Sequence, residues 1–270
     1  MSGTRLSLRH TPALRVDLRG VTPAVCTGLA LAQIERLTLT HGNQVLALAE
    51  LFDVSQADAG DDLVLVGDLS RVDRIGWQMA TGSVLVDGPA GDYVGGGMSG
   101  GALRVRGHAG ALAACEMAGG TLTIEGDAGD FCASTLPGSM DGMRGGSLIV
   151  KGNAGARFAD RMRRGTALVC GNVGDFCASR LVAGTVAIGG AAGAHVGFGM
   201  RRGSVVLAGA APEIAPTFVP ALVDAAVFWQ LLARDLARHG GPFSALASRR
   251  VTRHLGDLAV GGQGELILVA

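Results

Sequence analysis

A glycine recurs at a nearly fixed step through the middle of this chain. From Gly82, copies open at Gly101, Gly120, Gly146, Gly165, Gly184 and Gly203, at steps of 19, 19, 26, 19, 19 and 19 residues. Each copy holds a short alternating run such as Ser83-Val84-Leu85-Val86, then a G-x-x-G corner, then an apolar stretch ending near methionine. A weaker copy, 62-DLVLVGDLSRVDRIGWQMAT-81, precedes them. Four or five residues of alternation closed by glycine corners make a strand-and-turn unit, too short for a helix. One such unit cannot bury its apolar face alone, but stacked units can. The spacing predicts an all-β chain, a right-handed parallel β-helix of about seven to eight rungs. A left-handed hexapeptide helix would need a period of about 18 and lacks these corners. Composition agrees: glycine supplies 44 of 270 residues, as a backbone forced through many tight corners requires.

The methionines keep the same register. Met79, Met98, Met117, Met143, Met162 and Met200 share one slot, with Leu181 in the remaining rung. That pattern predicts an inward column, because methionine adapts to irregular gaps; a soft-metal site is the minor reading, since leucine substitutes there. The hexapeptide GDFCAS occurs twice, at 129–134 and 174–179, and puts Cys132 and Cys177 in a slot filled elsewhere by Val94, Ala113, Phe158 and Val196. The two thiols are expected to be small buried hydrophobes. Two rungs separate them by about 9–10 Å, beyond the reach of a disulfide or a shared tetrahedral metal.

Outside the period the chain changes character. Residues 1–61 contain alternating segments at Leu6-Ser7-Leu8 and Leu37-Thr38-Leu39-Thr40, a turn at His41-Gly42-Asn43, and 45-VLALAELFDV-54, which predicts a small mixed N-terminal cap. Residues 62–211 carry the repeats, and 212–270 form a C-terminal cap. In that cap 222-LVDAAVFWQLLARDLARH-239 has helical spacing stopped by Gly240-Gly241, and 265-ELILVA-270 reads as a terminal strand. Phe228 and Trp229 are the expected packing anchors of the helix. The long rung places its extra residues around 135-TLPGSMD-141, an outward loop.

Charge and hydropathy exclude several functions. A net charge of zero gives no electrostatic footprint for nucleic acid. No apolar run reaches the roughly 18 residues of a membrane span; 219-VPALVDAAVFWQLLA-233 carries Asp224 and Gln230. Five cysteines without framework spacing, and an N-terminus without a continuous apolar signal region, point to the cytoplasm. The six histidines occur singly, so neither a nucleophile–base pair nor a metal set is expected. Asp127, Asp130 and Asp175 are expected to bond turn backbone. After the methionine slot come Arg144, Arg163-Arg164 and Arg201-Arg202, which stacking would gather into a basic strip interrupted at Val182-Ala183. A solvated face is the plainer reading; docking of an acidic partner or anionic ligand tail is the functional one.

The repeat G-[ST]-x-x-[VI]-x-G-x-x-G…M-x-x-G resembles the β-helix shared by the C-terminal domain of glutamate synthase and the C-subunit of formylmethanofuran dehydrogenase. The flanks 42-GNQVLALAELFDV-54 and 256-GDLAVGGQGELIL-268 favour the latter. The resemblance implies the C-subunit of a bacterial formyltransferase/hydrolase complex in one-carbon metabolism. Such a complex transfers a formyl group from formyl-tetrahydromethanopterin to a methanofuran-like carrier and hydrolyses it to formate. It implies amidohydrolase-like, formyltransferase and dehydrogenase-B-like partner chains, and no catalytic residue, metal or cofactor in this chain. Alternatives in the same frame are the C-subunit of a molybdenum or tungsten formylmethanofuran dehydrogenase, or a glutamate synthase-type domain. A carbohydrate-acting β-helix enzyme would carry a groove of carboxylates and aromatics, and Tyr93 is the only tyrosine here. Carriers resembling methanofuran bear a polyglutamate tail, which would suit the arginine strip.

Overall fold

The computed structural model describes residues 3–57, 60–210, 212–223 and 225–270. Asp224 lies outside them. Among the described residues the architecture is mostly β, dominated by one sheet of 13 strands. Three of these cap its ends: Phe52–Gln56 at one, Val219–Pro220 and Val251–Gly256 at the other. The strands between pair parallel, each repeat against the next.

The register follows the period. Val84, Leu103, Leu122, Leu148, Ala167, Val186 and Val205 stand in one row across successive strands, and all are buried. A second column of bridges runs beside it through Leu69, Ala90, Ala109, Ala128, Ala154, Val173 and Ala192. Met79, Met98, Met117, Met143, Met162, Leu181 and Met200 are all buried, as their shared slot predicts. Each lies under the glycine that opens a later rung: the Met98 methyl comes within 2.6 Å of where a Cβ on Gly120 would sit.

The outward face of the sheet shows what covers it. Its row runs Leu85, Arg104, Thr123, Ile149, Leu168, Ala187, Val206 and Ile267. Polar Arg104 and Thr123 stand in early rungs, and every residue from Leu168 onward is apolar and buried. The switch falls where the C-terminal helix packs: Leu168, Ala187, Val206 and Ile267 form a second core with Trp229, Ala233, Leu236, Phe243 and Leu246.

That helix spans Ala226–Ala237, starting four residues later than its spacing predicts, with no side chain capping its N-terminus. Trp229 is buried and its indole donates to the Arg249 carbonyl, as an anchor should. Phe228 is not an anchor. It is 42% exposed, because residues 229, 233 and 236 define the inner stripe and position 228 lies about 100° around from 229.

Two further expectations gain detail. The terminal strand Gly264–Val269 does not merely cap: it pairs parallel with Ser204–Leu207 and takes the next place in the stack. At the other end Thr4–Leu8 does the same against Leu63–Val66, although it lacks the repeat motif. The aspartates bond corner backbone as expected, and the backbone is that of the neighbouring repeat. Asp127, Asp130 and Asp175 accept the backbone N–H of Asn153, Ala156 and Ala194, each a full rung away, so they tie rungs together rather than close their own turns. Asp92, Asn153 and Asn172 do likewise. Other corner amides, such as Gly126 to Gly107, meet a carbonyl of the neighbouring rung, and these meet a short acceptor side chain, so the corner backbone is satisfied.

Cys132 and Cys177 are buried, with Phe158 filling the rung between them. Burial pushes both thiols well above the ordinary range, Cys115 to about 12 and Cys26 to about 11. A thiolate is the reactive form, so these groups are inert in the folded chain. A thiol reagent is expected to spare Cys132 and Cys177 until urea unfolds the protein, while partly buried Cys170 reacts first. Stoichiometric labelling of either residue in the native state would refute this.

Candidate functional site

The arginine strip is built by the register of the methionine slot. The residue after each slot donates its backbone N–H to the slot carbonyl of the preceding rung: Arg144 to Met117, Arg163 to Met143, Val182 to Met162 and Arg201 to Leu181. Arg144, Arg163, Val182 and Arg201 are therefore held one rung apart, about 4.8 Å each. Arg164, Ala183 and Arg202 follow beside them.

All five expected arginines line one groove of about 710 Å³. Val182 and Ala183, the interruption in the strip, line its apolar middle, and Val260, Gly261 and Gln263 from the C-terminal segment form a wall. The Gln263 N–H donates to the Arg201 carbonyl, which seats that wall on the last arginine rung. The guanidinium groups are not equivalent. Arg163 is paired to Asp141 of the inserted loop at 2.5 Å. Arg144 reaches the Glu116 carbonyl at 3.4 Å. Among the described residues, Arg164, Arg201 and Arg202 have no carboxylate partner.

A second hollow of about 360 Å³ continues from the first, sharing Arg163, Val182, Arg201 and Val260. It adds Arg161 and Arg180, which the strip did not include. Their signal is present in the chain: both immediately precede the methionine slot, before Met162 and Leu181. Arg180 is committed to Asp160, while Arg161 donates to the Met140 sulfur of the inserted loop. The arrangement can hold a chain of carboxylates by bidentate ion pairs. Its described lining offers no nucleophile with an adjacent base. Among the described residues no group of three His, Cys, Asp or Glu side chains is placed to hold a metal, and no helix is long and apolar enough to cross a membrane.

No family model matches the chain. Over nearly its full length it superimposes with a TM-score of 0.91 on a chain in the crystal structure of the formyltransferase/hydrolase complex FhcABCD from Methylorubrum extorquens in complex with methylofuran. The two are 40% identical, and the match covers 98% of this chain and 99% of that one. The chain belongs to the C-subunit family of these complexes. Sequence relatives agree. The C-subunit of the formyltransferase/hydrolase complex of Methylorubrum extorquens is 42% identical over 86 residues, 32% of each chain. The C-subunit of the tungsten-containing formylmethanofuran dehydrogenase 2 of Methanothermobacter wolfeii is 33% identical over 97 residues, 34% of this chain and 36% of that protein. The aligned stretches thus span about a third of the length of these curated relatives.

Proposed function

We propose that this chain is a non-catalytic scaffold component of a cytoplasmic formyltransferase/hydrolase complex. That complex moves a formyl group from formyl-tetrahydromethanopterin to a methanofuran-like carrier and releases formate. The observation that carries the reading is the whole-chain match, at 40% identity, to a chain of such a complex holding methylofuran. A groove lined by arginines and small apolar side chains suits binding better than bond-breaking, which supports a scaffold role. We read the architecture as a right-handed parallel β-helix. The two columns of parallel pairing, strands on one side and single bridges on the other, support that reading. A molybdenum or tungsten dehydrogenase is the second reading, carried by the archaeal relatives.

Affinity purification of the tagged chain tests this. Amidohydrolase-like, formyltransferase and dehydrogenase-B-like chains are expected to co-purify; a lone monomer with its own activity would overturn the proposal. In the same frame the arginine groove docks the acidic tail of the carrier. Reversing Arg164 and Arg202 to glutamate in the assembled complex is expected to raise the carrier KM about tenfold or more, two charge-assisted contacts being lost. An unchanged KM with Arg163, Arg164, Arg201 and Arg202 all reversed would leave the groove as solvated surface.

A further inference from the structure

Aromatic residues make up 4% of this chain, yet several gather on one outer edge of the stack. The residue after the aspartate slot is Arg74, Tyr93, Leu112, Phe131, Arg157, Phe176 and His195 in successive rungs. All seven adopt left-handed backbone, with φ between 58° and 62° at every one, a conformation that large L side chains enter only at a cost. Glycine fills such positions elsewhere in the chain, at Gly76, Gly95 and Gly197. What the edge gains is the side chains themselves. The same backbone recurs two residues on, at Ala114, Ala133, Ala159 and Ala178, so the conformation belongs to the coil and only the choice of large side chains marks this edge.

These side chains stack in two groups. At the N-terminal end the Arg74 guanidinium lies 4.6 Å from the Tyr93 ring centroid and 5.5 Å from that of Trp77. At the C-terminal end Arg157 lies 5.9 Å from the Phe131 centroid and 4.9 Å from that of Phe176. Phe176 stacks on His195 at 4.7 Å and meets Phe198 edge-on at 6.0 Å. The groups differ in one respect. Arg74 is ion-paired at 3.0 Å to Asp17, presented by the short strand Val16–Asp17 of the N-terminal segment. Among the described residues Arg157 has no carboxylate partner, and neighbouring Asp130 and Asp175 each accept a backbone N–H through one oxygen. Phe131 and Phe198 around it are 40% and 55% exposed.

We propose that the Phe131–Arg157–Phe176 stack, with His195 and Phe198, is the docking site for another protein subunit, which presents an aspartate or glutamate to Arg157 as Asp17 does to Arg74. A guanidinium held between rings keeps its N–H edges free and loses little side-chain freedom on pairing. An arginine set among exposed aromatics is also the composition of an interface hot spot. The inference rests on the scaffold reading and names the face that the scaffold uses.

Co-expression of the tagged chain with its complex partners, followed by size-exclusion chromatography and mass spectrometry, tests it. Arg157→Ala is expected to lower recovery of one partner chain at least about tenfold, with Phe198→Ala acting in the same direction. Thermal melts of the isolated variants establish that they fold, and Phe198→Ala, an exposed truncation, stands in should Arg157→Ala not fold. Wild-type composition in both variant complexes would overturn the docking face and leave the scaffold reading intact. A wild-type chain that recovers no partner would overturn the scaffold reading and this inference with it.

Discussion

Gly120→Val is expected to cost more than about 3 kcal/mol of folding stability, the range reserved for core overpacking added to backbone strain. Gly120 has a φ of +80°, and a Cβ there would lie 2.6 Å from the Gly101 carbonyl oxygen and 2.6 Å from the Met98 methyl. Neither can retreat cheaply. The carbonyl belongs to the rung below, and the methyl belongs to the buried methionine column. Gly138→Val separates the two causes, since Gly138 has a φ of +85° with nothing within 4 Å of the added carbon. That variant should lose only the left-handed penalty, about 1–2 kcal/mol. Urea unfolding midpoints of both variants measure the difference. Equal losses would mean that the rungs are not packed against one another as described.

The second large effect is expected at Arg180. Asp160 is 3% exposed and accepts from Ser179 Oγ at 2.5 Å, from Arg180 Nε at 3.0 Å and from Arg180 Nη2 at 2.7 Å. Arg180→Ala strands that carboxylate beside an apolar core. Breaking a buried pair by removing one partner costs about 3–5 kcal/mol, and the lower end applies because the guanidinium is partly solvated. Asp160→Asn in the Arg180→Ala background should recover much of the loss, since the charge is gone and Ser179 still has an acceptor. A double-mutant cycle by urea denaturation reads the coupling. Purely additive losses would show that the two side chains do not act as a pair.

The first effect rests on repetition, and repetition is what the sequence displays most openly. The step of 19 residues, the methionine slot and the apolar slot holding Cys132 and Cys177 are all legible, because a stacked unit must repeat its inward side chains to align them. The five arginines are legible for the same reason: they occupy a fixed offset from the methionines. Arg161 and Arg180 escape notice although their offset is equally regular, since their slot also holds Gln78, Gly97, Glu116 and Gly199 and shows no uniform charge. Phe228 misleads because two adjacent aromatics on a helix look alike in a hydrophobic pattern, and only the packed face distinguishes them. The entry of Thr4–Leu8 and Gly264–Val269 into the stack has no motif to announce it, because end strands need hydrogen-bonding edges and not glycine corners.

The order of residues alone determined the rung: its length, its corners, and which side chains turn inward. Each of these is a local demand of backbone sterics and apolar burial, repeated until it becomes unmistakable. Only the tertiary structure decided which charges remain unpaired. Asp141 reaches Arg163 from an inserted loop, Val260 walls the groove from the far end of the chain, and Asp17 meets Arg74 while no carboxylate among the described residues meets Arg157. Such pairings join segments with no common period, so no pattern within the chain could foretell them.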